Sequence, residues 1–221
     1  MKRLVFVQND SKVDEGSIFH KEVEVLKLKA WDEPWEQITL EDYVIVLGGN
    51  MGVYDKDKFK YLDSEQTWIQ NFVESNGKFL GICLGSQLLA SSIGGDAYLS
   101  EKIEFGIKKL NFTSYAPLLN KFSDKNVFTW HRDTFSLPDG VDVLASTDYP
   151  QIFIYNSAIG LQFHPEITVN LFDVWSETED SKSELEANGY SLADVRDQLI
   201  VNEKDMQENM NGFIDQWIFS E

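Results

Sequence analysis

In the first 95 residues, short apolar runs alternate with amphipathic segments, and this alternation constrains the fold more than any other feature of the chain. Four strand-like runs are rich in apolar side chains and stop at polar residues or glycines; they span 4–7, 21–29, 43–47 and 78–82. Two segments, 59–75 and 84–93, repeat their apolar side chains every three or four residues, as helices do. The alternation predicts a parallel sheet with helices on both faces.

The pattern changes after residue 95. Five short strand-like segments predict an antiparallel layer appended to the main sheet; they are 103–112, 126–130, 141–147, 151–155 and 159–163. From residue 168 the chain turns helical again and is acidic. We therefore predict an α/β fold in a single domain, 1–221. It has a mostly parallel central sheet flanked by helices, a small antiparallel layer, and a helical C-terminal extension over 170–221.

Charge and cysteine content narrow the environments and partners to expect. Hydrophobic residues make up 43% of the 221 residues, enough for a buried core, while 37 acidic residues against 19 basic ones give a net charge of -18. Such a charge repels nucleic acid and anionic membranes, so neither is expected as a partner. No apolar stretch reaches the roughly 18 residues that span a bilayer. Cys83 is the only cysteine and cannot form an intrachain disulfide, so we expect a reducing, cytoplasmic location.

Residues 81–85 read Gly-Ile-Cys-Leu-Gly and place Cys83 where a buried strand runs directly into a helix. This is the pattern of a nucleophile elbow, with cysteine in place of serine. The tight turn strains the backbone of the nucleophile, and the flanking glycines avoid steric collisions. The start of the helix favours a thiolate, and the N–H of Leu84 is free to face an oxyanion. A buried core cysteine is the alternative interpretation.

A cysteine nucleophile needs a base, and the chain has three histidines. His164 is followed two residues later by Glu166, and residues two apart in an extended chain lie on the same side. The carboxylate would fix the tautomer of the imidazole and stabilise its protonated form. His131 has the same relationship to Asp133, so the residues alone leave both histidines as candidates. His20 is interpreted as a surface residue.

Four segments together resemble the class I glutamine amidotransferases, a family with a catalytic triad. They are Gly-Gly-Asn-Met-Gly-Val-Tyr at 48–54, Gly-Ile-Cys-Leu-Gly-Ser-Gln at 81–87, Trp-His-Arg-Asp-Thr-Phe at 130–135 and Gln-Phe-His-Pro-Glu at 162–166. The likeness extends from the first strand to about residue 166. It is closest to stand-alone members similar to the glutaminase domain of GMP synthase, whose fold is a mostly parallel sheet flanked by helices.

The resemblance implies a role for each matching residue. Cys83 would attack the side-chain amide of glutamine, His164 would transfer protons, and Glu166 would orient His164. The backbone N–H groups of Gly49 and Leu84 would form the oxyanion hole. The residues expected to bind substrate are Met51, Gly52, Gln87, Asp133, Thr134 and Phe135.

Two further positions follow from the same resemblance. His131 becomes a structural or binding residue, because its turn would lie near the α-amino and carboxylate end of glutamine. Asn50 stands where relatives commonly have proline, and this substitution should loosen the oxyanion turn.

The expected reaction releases ammonia and glutamate through a γ-glutamyl thioester, without a cofactor or metal. In this family the glutaminase normally feeds a synthetase, for which 221 residues leave no room. L-Glutamine as substrate, with a separate synthetase or acceptor subunit, is therefore one expectation. An autonomous hydrolase of γ-glutamyl amides or peptides is a second, and a low-activity binding or regulatory protein of the same fold is a third. The sequence carries no signal for the oligomeric state.

Overall fold

The computed structural model describes residues 2–114, 116–177 and 179–219. These residues form ten β-strands and five α-helices, with short 3-10 helices between some of them. The strands are β1 (Arg3–Gln8), β2 (Glu24–Lys29), β3 (Tyr43–Val46), β4 (Lys78–Ile82), β5 (Asp96–Lys109), β6 (Asn111–Phe112), β7 (Asn126–Ser136), β8 (Val143–Ser146), β9 (Pro150–Tyr155) and β10 (Ala158–Leu161). The helices are α1 (Tyr61–Glu74), α2 (Leu84–Ser92), α3 (Val169–Trp175), α4 (Glu179–Ala187) and α5 (Leu192–Phe219).

Eight strands form one sheet in the order β2-β1-β3-β4-β10-β9-β8-β6. The five strands from β2 to β10 in this order are parallel. β9, β8 and β6 continue the sheet in antiparallel pairs, and β5 pairs with β7 in a separate two-stranded antiparallel sheet. The predicted fold, with a mostly parallel central sheet and a small antiparallel layer, is confirmed. The segment predicted as one strand at 103–112 is divided between the two sheets, as β5 and β6.

One strand differs from its prediction. We expected residues 159–163 in the antiparallel layer, but β10 lies inside the main sheet and pairs in parallel with β4. The tight turn at Asn156, whose φ is 53°, reverses the chain between β9 and β10. β10 therefore runs antiparallel to β9 on one side and in the same direction as β4 on the other. All four residues of β10 are buried, as is typical of a strand covered on both faces.

Helices cover both faces of the main sheet. One face packs against α1 and α2 through a cluster that includes Ile69 and Leu88. The other packs against the C-terminal half of α5 through Phe213 and Trp217. The first half of α5, together with α3, packs against the β5–β7 sheet. The helical end of the chain is therefore part of the hydrophobic core. Within the described ranges, no helix is both long and apolar enough to cross a membrane.

The parallel strands bring distant loops to one edge of the sheet. Because β1, β3, β4 and β10 run in the same direction, their carboxyl ends lie side by side. Asn9, Gly48, Cys83 and Gln162 follow these four ends closely. Crevices at the carboxyl ends of parallel strands are the usual ligand sites of α/β folds.

Candidate active site

Cys83 occupies the turn between β4 and α2, with an unusual φ of 49° and ψ of -109°. The turn has room only for glycine on either side. A Cβ on Gly81 would lie 2.3 Å from the carbonyl oxygen of Gly85, and a Cβ on Gly85 would lie 2.2 Å from that of Val46. The N–H of Cys83 donates to the carbonyl of Leu161 at 2.8 Å, which ties the turn to β10. The strained elbow predicted from the sequence is confirmed.

The helix α2 begins directly after Cys83. As its first residue, Leu84 has an N–H with no acceptor inside the helix. The N–H groups of Ser86 and Gln87 donate to the carbonyl of Cys83 at 2.9 and 3.1 Å. The positively polarised end of α2 therefore starts at the candidate nucleophile.

His164 follows β10 and is held by Glu166. Its Nδ1 atom lies 2.7 Å from Oε1 of Glu166, and the two side chains are only 5% and 0% exposed. Residues 165 and 166 form a turn instead of the extended chain that the prediction assumed, yet the two side chains meet as expected.

The surroundings of His164 favour its protonated form. Burial acts most strongly and disfavours the charge, but the attraction of Glu166 and the charge and hydrogen bond of Cys83 together outweigh it. The pKa of His164 is therefore raised well above its ordinary value. His164 thus lies next to Cys83 and hydrogen-bonds to Glu166, so that its imidazole is placed to take a proton from the thiol.

Two neighbours of this line were missed by the sequence analysis. Gly16, with φ of 53°, packs directly against the backbone of Glu166: a Cβ on Gly16 would lie 2.0 Å from the carbonyl oxygen of Glu166. Trp175 covers His164, with ring centroids 4.8 Å apart, and its indole N–H donates to the carbonyl of Lys12 at 2.9 Å. Gly16 lies in a polar loop and Trp175 in an acidic helical stretch, so no local pattern pointed to either.

The loop after β3 passes directly over the candidate nucleophile and base. A Cβ on Gly48 would lie 3.2 Å from Cε1 of His164 and 3.4 Å from Cβ of Cys83. At Gly49 the space is also closed, because a Cβ would lie 2.6 Å from Sδ of Met51. Among the hydrogen bonds of the described residues, none engages the N–H of Gly49. This N–H can therefore serve a ligand, and a side chain at Gly48 or Gly49 would have to displace neighbouring side chains of the site.

Asn50 is exposed, and the loop is braced immediately beyond it. The N–H of Gly52 donates to the carboxylate of Asp55 at 2.9 Å, and the N–H of Asp55 donates back to the carbonyl of Gly52 at 3.0 Å. The ring of Tyr54 lies against Gly52, where a Cβ would come within 2.5 Å of it. The expected loosening of the turn by Asn50 stays a prediction.

Gln87 links three elements beside Cys83. Its side-chain nitrogen donates to the carbonyl of Asp133 and to the amide oxygen of Gln162, both at 3.1 Å. The carboxylate of Asp133 accepts a hydrogen bond from the hydroxyl of Tyr54 at 3.2 Å. Burial raises the pKa of Asp133, and burial together with the hydrogen bond to Asp133 raises the pKa of Tyr54 to about 12. The structure thus joins all four motifs to one another at Gln87 and Asp133.

Thr134 and Phe135 are almost completely buried in β7, at 2% and 1% exposure. Phe135 packs on Phe153, with ring centroids 5.0 Å apart. It belongs to the core cluster on the α1–α2 face, whereas Cys83 belongs to the cluster on the other face. The side chain of Phe135 is therefore a core residue, and its part in substrate binding stays a prediction.

His131 is separated from Cys83 by its own partners. Its Nδ1 faces the carbonyl oxygen of Asp133, and its Nε2 faces the carboxylate of Glu104, both at 2.9 Å. His164, by contrast, lies next to Cys83, and one added Cβ on Gly48 would contact both side chains. The structure thus distinguishes the two histidines that the residues alone left as candidates. Glu104 carried no sequence signal, because it is one charge among the alternating residues of a strand-like run.

The third histidine, His20, was expected at the surface. Its side chain is only 9% exposed and contacts α5: Nε2 lies 3.0 Å from the carboxylate of Asp215, and the ring centroid lies 5.0 Å from that of Phe219. Across 2–114, 116–177 and 179–219, no group of three or more His, Cys, Asp or Glu side chains is arranged to hold a metal ion.

Known proteins resemble this chain in both sequence and fold. The family model for glutamine amidotransferase class-I matches residues 16–174. A subunit of the glutamine-hydrolyzing GMP synthase of Saccharolobus solfataricus is 32% identical over 141 residues, which are 61% of this chain and 72% of that protein. The glutamine-hydrolyzing GMP synthase of Vesicomyosocius okutanii is 40% identical over 103 residues, but these are 42% of this chain and only 20% of that longer protein. The crystal structure of a glutamine amidotransferase from Thermotoga maritima has a TM-score of 0.87 and 28% identity, covering 99% of this chain and 98% of that one.

Proposed function

Because the chain belongs to the class-I glutamine amidotransferase family, we propose that it hydrolyses the side-chain amide of L-glutamine through a thioester on Cys83. The observation that carries the proposal is the placement of Cys83 at a strained strand–helix turn beside His164, which is itself hydrogen-bonded to Glu166. Strain and a perturbed pKa at one point of a fold favour a reactive centre over a purely structural one.

In the first half of the reaction, His164 holds the proton of the Cys83 thiol, and the thiolate adds to the side-chain carbonyl carbon of glutamine. His164 gives this proton to the amide nitrogen as the C–N bond breaks, and ammonia leaves. In the second half, His164 takes a proton from water, whose oxygen adds to the thioester. The C–S bond then breaks and releases glutamate. Glu166 stabilises the imidazolium in both halves.

Both tetrahedral intermediates carry a negative oxygen that needs donors. We assign this role to the N–H groups of Gly49 and Leu84. Gly49 lies in the loop above the nucleophile and has no other hydrogen bond among the described residues, and Leu84 opens α2. Loss of one such donor typically lowers turnover by roughly 10² to 10³.

The amino-acid end of glutamine is assigned to the wall beside Cys83. Gln87 and Asp133 are joined there by a hydrogen bond, and the Asp133 carboxylate would attract the α-ammonium group. Met51, Gly52 and Thr134 complete this wall in the proposal; the contact of Met51 with Gly49 supports the first of these assignments.

The ammonia is proposed to serve a separate acceptor subunit. This rests on the relative from Saccharolobus solfataricus, which is named as one subunit of a GMP synthase. The alternative is an autonomous hydrolase of γ-glutamyl amides or peptides. In its favour, the glutamine amidotransferase from Thermotoga maritima matches this chain over nearly the whole length of both, without a synthetase region in the matched chain.

Ammonia release from L-glutamine by the purified chain tests the proposal. We expect turnover in the wild type and none in Cys83→Ala, with unchanged thermal unfolding. Asp173→Asn, which removes a partly exposed ion pair with Arg196, is the control and should behave as wild type. Turnover by Cys83→Ala at the wild-type rate would sink the assignment of the nucleophile.

A substrate panel separates the two fates of the nitrogen. Faster release from γ-glutamyl peptides than from glutamine supports the autonomous hydrolase. Slow turnover of every substrate, combined with covalent labelling of Cys83 by a glutamine-analogue chloroketone, supports an enzyme that waits for its acceptor subunit.

A further inference from the structure

Two ionisable side chains are buried together in the β5–β7 sheet and take no part in the proposed reaction. Glu104 and His131 are 2% and 4% exposed, stand directly opposite each other in the strand register, and meet at 2.9 Å. A buried ion pair is weak evidence for stability, because removing two charges from water offsets much of their attraction. The pair therefore calls for an explanation other than stability.

The hydrogen-bond partners fix the orientation of both side chains of this pair. A backbone carbonyl only accepts, so Nδ1 of His131, which faces the carbonyl of Asp133, carries a proton. Nε2 faces the carboxylate of Glu104, which also accepts from the amide of Gln151 at 2.8 Å. Burial would raise the pKa of Glu104, but the hydrogen bonds from His131 and Thr147 lower it below its ordinary value. His131 is thus held between two oxygen acceptors, the carbonyl of Asp133 and the carboxylate of Glu104.

The pair is linked to Gln87, one of the residues proposed to bind substrate, through one carbonyl oxygen. The oxygen of Asp133 accepts from Nδ1 of His131 at 2.9 Å and from the side-chain nitrogen of Gln87 at 3.1 Å. The second hydrogen of that nitrogen is directed to Gln162. Both N–H groups of Gln87 are therefore committed, and its amide oxygen is left as the acceptor that a substrate can use.

We infer that Glu104 and His131 are positioning residues, which fix the Asp133 carbonyl and thereby the amide of Gln87 for substrate binding. The inference rests on the proposed function. Because neither side chain touches Cys83 or His164 among the described hydrogen bonds, the pair acts on affinity for the substrate and leaves the reactivity of the thiol unchanged.

Two substitutions at one position separate the two hydrogen bonds. In His131→Asn the amide nitrogen stands near the place of Nδ1 and keeps the bond to Asp133; in His131→Gln it stands near Nε2 and keeps only the bond to Glu104. We expect the KM for glutamine to rise about tenfold or more in His131→Gln and by a smaller factor in His131→Asn, with kcat within about threefold of wild type in both. Glu104→Gln should raise KM to an intermediate degree, because Nε2 of His131 loses its carboxylate partner.

Alkylation of Cys83 by iodoacetamide is the second measurement, since this small reagent reacts with the thiol without binding to the residues proposed to hold glutamine. Its rate should stay within about twofold of wild type in all three variants, while labelling by the glutamine-analogue chloroketone slows in parallel with KM. Asp173→Asn is the control for loss of a charge elsewhere.

Three results would overturn the inference: an unchanged KM in His131→Gln, an equal loss of iodoacetamide reactivity, or failure of all three variants to fold, which would make the pair structural. An inactive and unlabelled wild type would instead refute the proposed function, so the two failures are distinguishable.

Discussion

Nδ1 of His164 lies 2.7 Å from Oε1 of Glu166, although the two residues belong to a turn and not to a strand. The backbone of Glu166 is held from the other side, where the N–H of Ser17 donates to its carbonyl at 2.9 Å and Gly16 allows the close approach. The backbone that carries the carboxylate is therefore fixed by a loop that is distant in sequence, and the effect of the carboxylate on His164 can be tested directly.

Glu166→Gln keeps the shape of the side chain and removes its charge. The imidazolium of His164 loses its main support, so its pKa should fall. With the imidazole neutral, the thiolate loses a stabilising positive charge and forms only at higher pH. We expect the pH profile of Cys83 alkylation by iodoacetamide to move to higher pH, and kcat for glutamine to fall by about 10² to 10⁴. An unshifted profile would show that Glu166 does not act on the base.

Gly85→Ala tests the steric demand of the elbow. Its new Cβ would lie 2.2 Å from the carbonyl oxygen of Val46, a backbone atom that cannot move without disturbing β3. We expect loss of several kcal/mol of stability, or no soluble protein. Gly212→Ala in α5 is the matched control, because its nearest neighbours are atoms of the flexible Lys121 side chain. It should be neutral or stabilising by about 0.5–1 kcal/mol. Thermal unfolding of both variants decides, and equal stability of the two would contradict the steric argument.

Glu65 makes the stability of the fold depend on pH. It is fully buried in α1, and burial raises its pKa from 4.5 to about 8, against a hydrogen bond from Asn9 that lowers it. Between these two values the folded chain keeps a proton that the unfolded chain has released. The stability contributed by the protonated group therefore falls as pH rises through this window, and the penalty is complete above the folded pKa.

Glu65→Gln should remove that dependence, because the neutral amide needs no proton. We expect its thermal midpoint to exceed that of wild type by several degrees at pH 9 and by much less at pH 5. Glu74→Gln, at the exposed end of the same helix, should show no such difference. The same gain at pH 5 and pH 9 would mean that Glu65 does not titrate in this window.

Trp175 shields the base from water. Replacement by Ala opens the space above the ring of His164, and we expect kcat to fall by about tenfold to a hundredfold through loss of positioning. Trp175→Phe keeps an aromatic ring over the imidazole but loses the hydrogen bond to Lys12, so its kcat should lie between Ala and wild type. Steady-state kinetics measure both; if Phe were no better than Ala, the ring contact would not be what matters.

Much of the site could be predicted from local patterns. The elbow at Cys83 followed from two glycines and a strand–helix junction, and its strained φ of 49° agrees. The contact of His164 with Glu166 was also predicted, but from an extended chain, whereas a turn brings the two side chains together. The placement of β10 was wrong, because a short buried run has the same pattern in a parallel as in an antiparallel pair, and only the hairpin turn at Asn156 sets its direction.

By itself, the sequence determined the order of strands and helices and the position of the reactive turn, because both depend on side-chain periodicity and on steric demands within a few residues. Only the tertiary structure decided which histidine contacts Cys83. His131 and His164 have the same local pattern, a carboxylate two residues later, but the first is bound by Glu104 from β5 and the second lies beside the elbow. Trp175 and Gly16 complete the surroundings of the base for the same reason: their contacts join residues that are far apart in sequence, and packing of the folded chain alone brings them together.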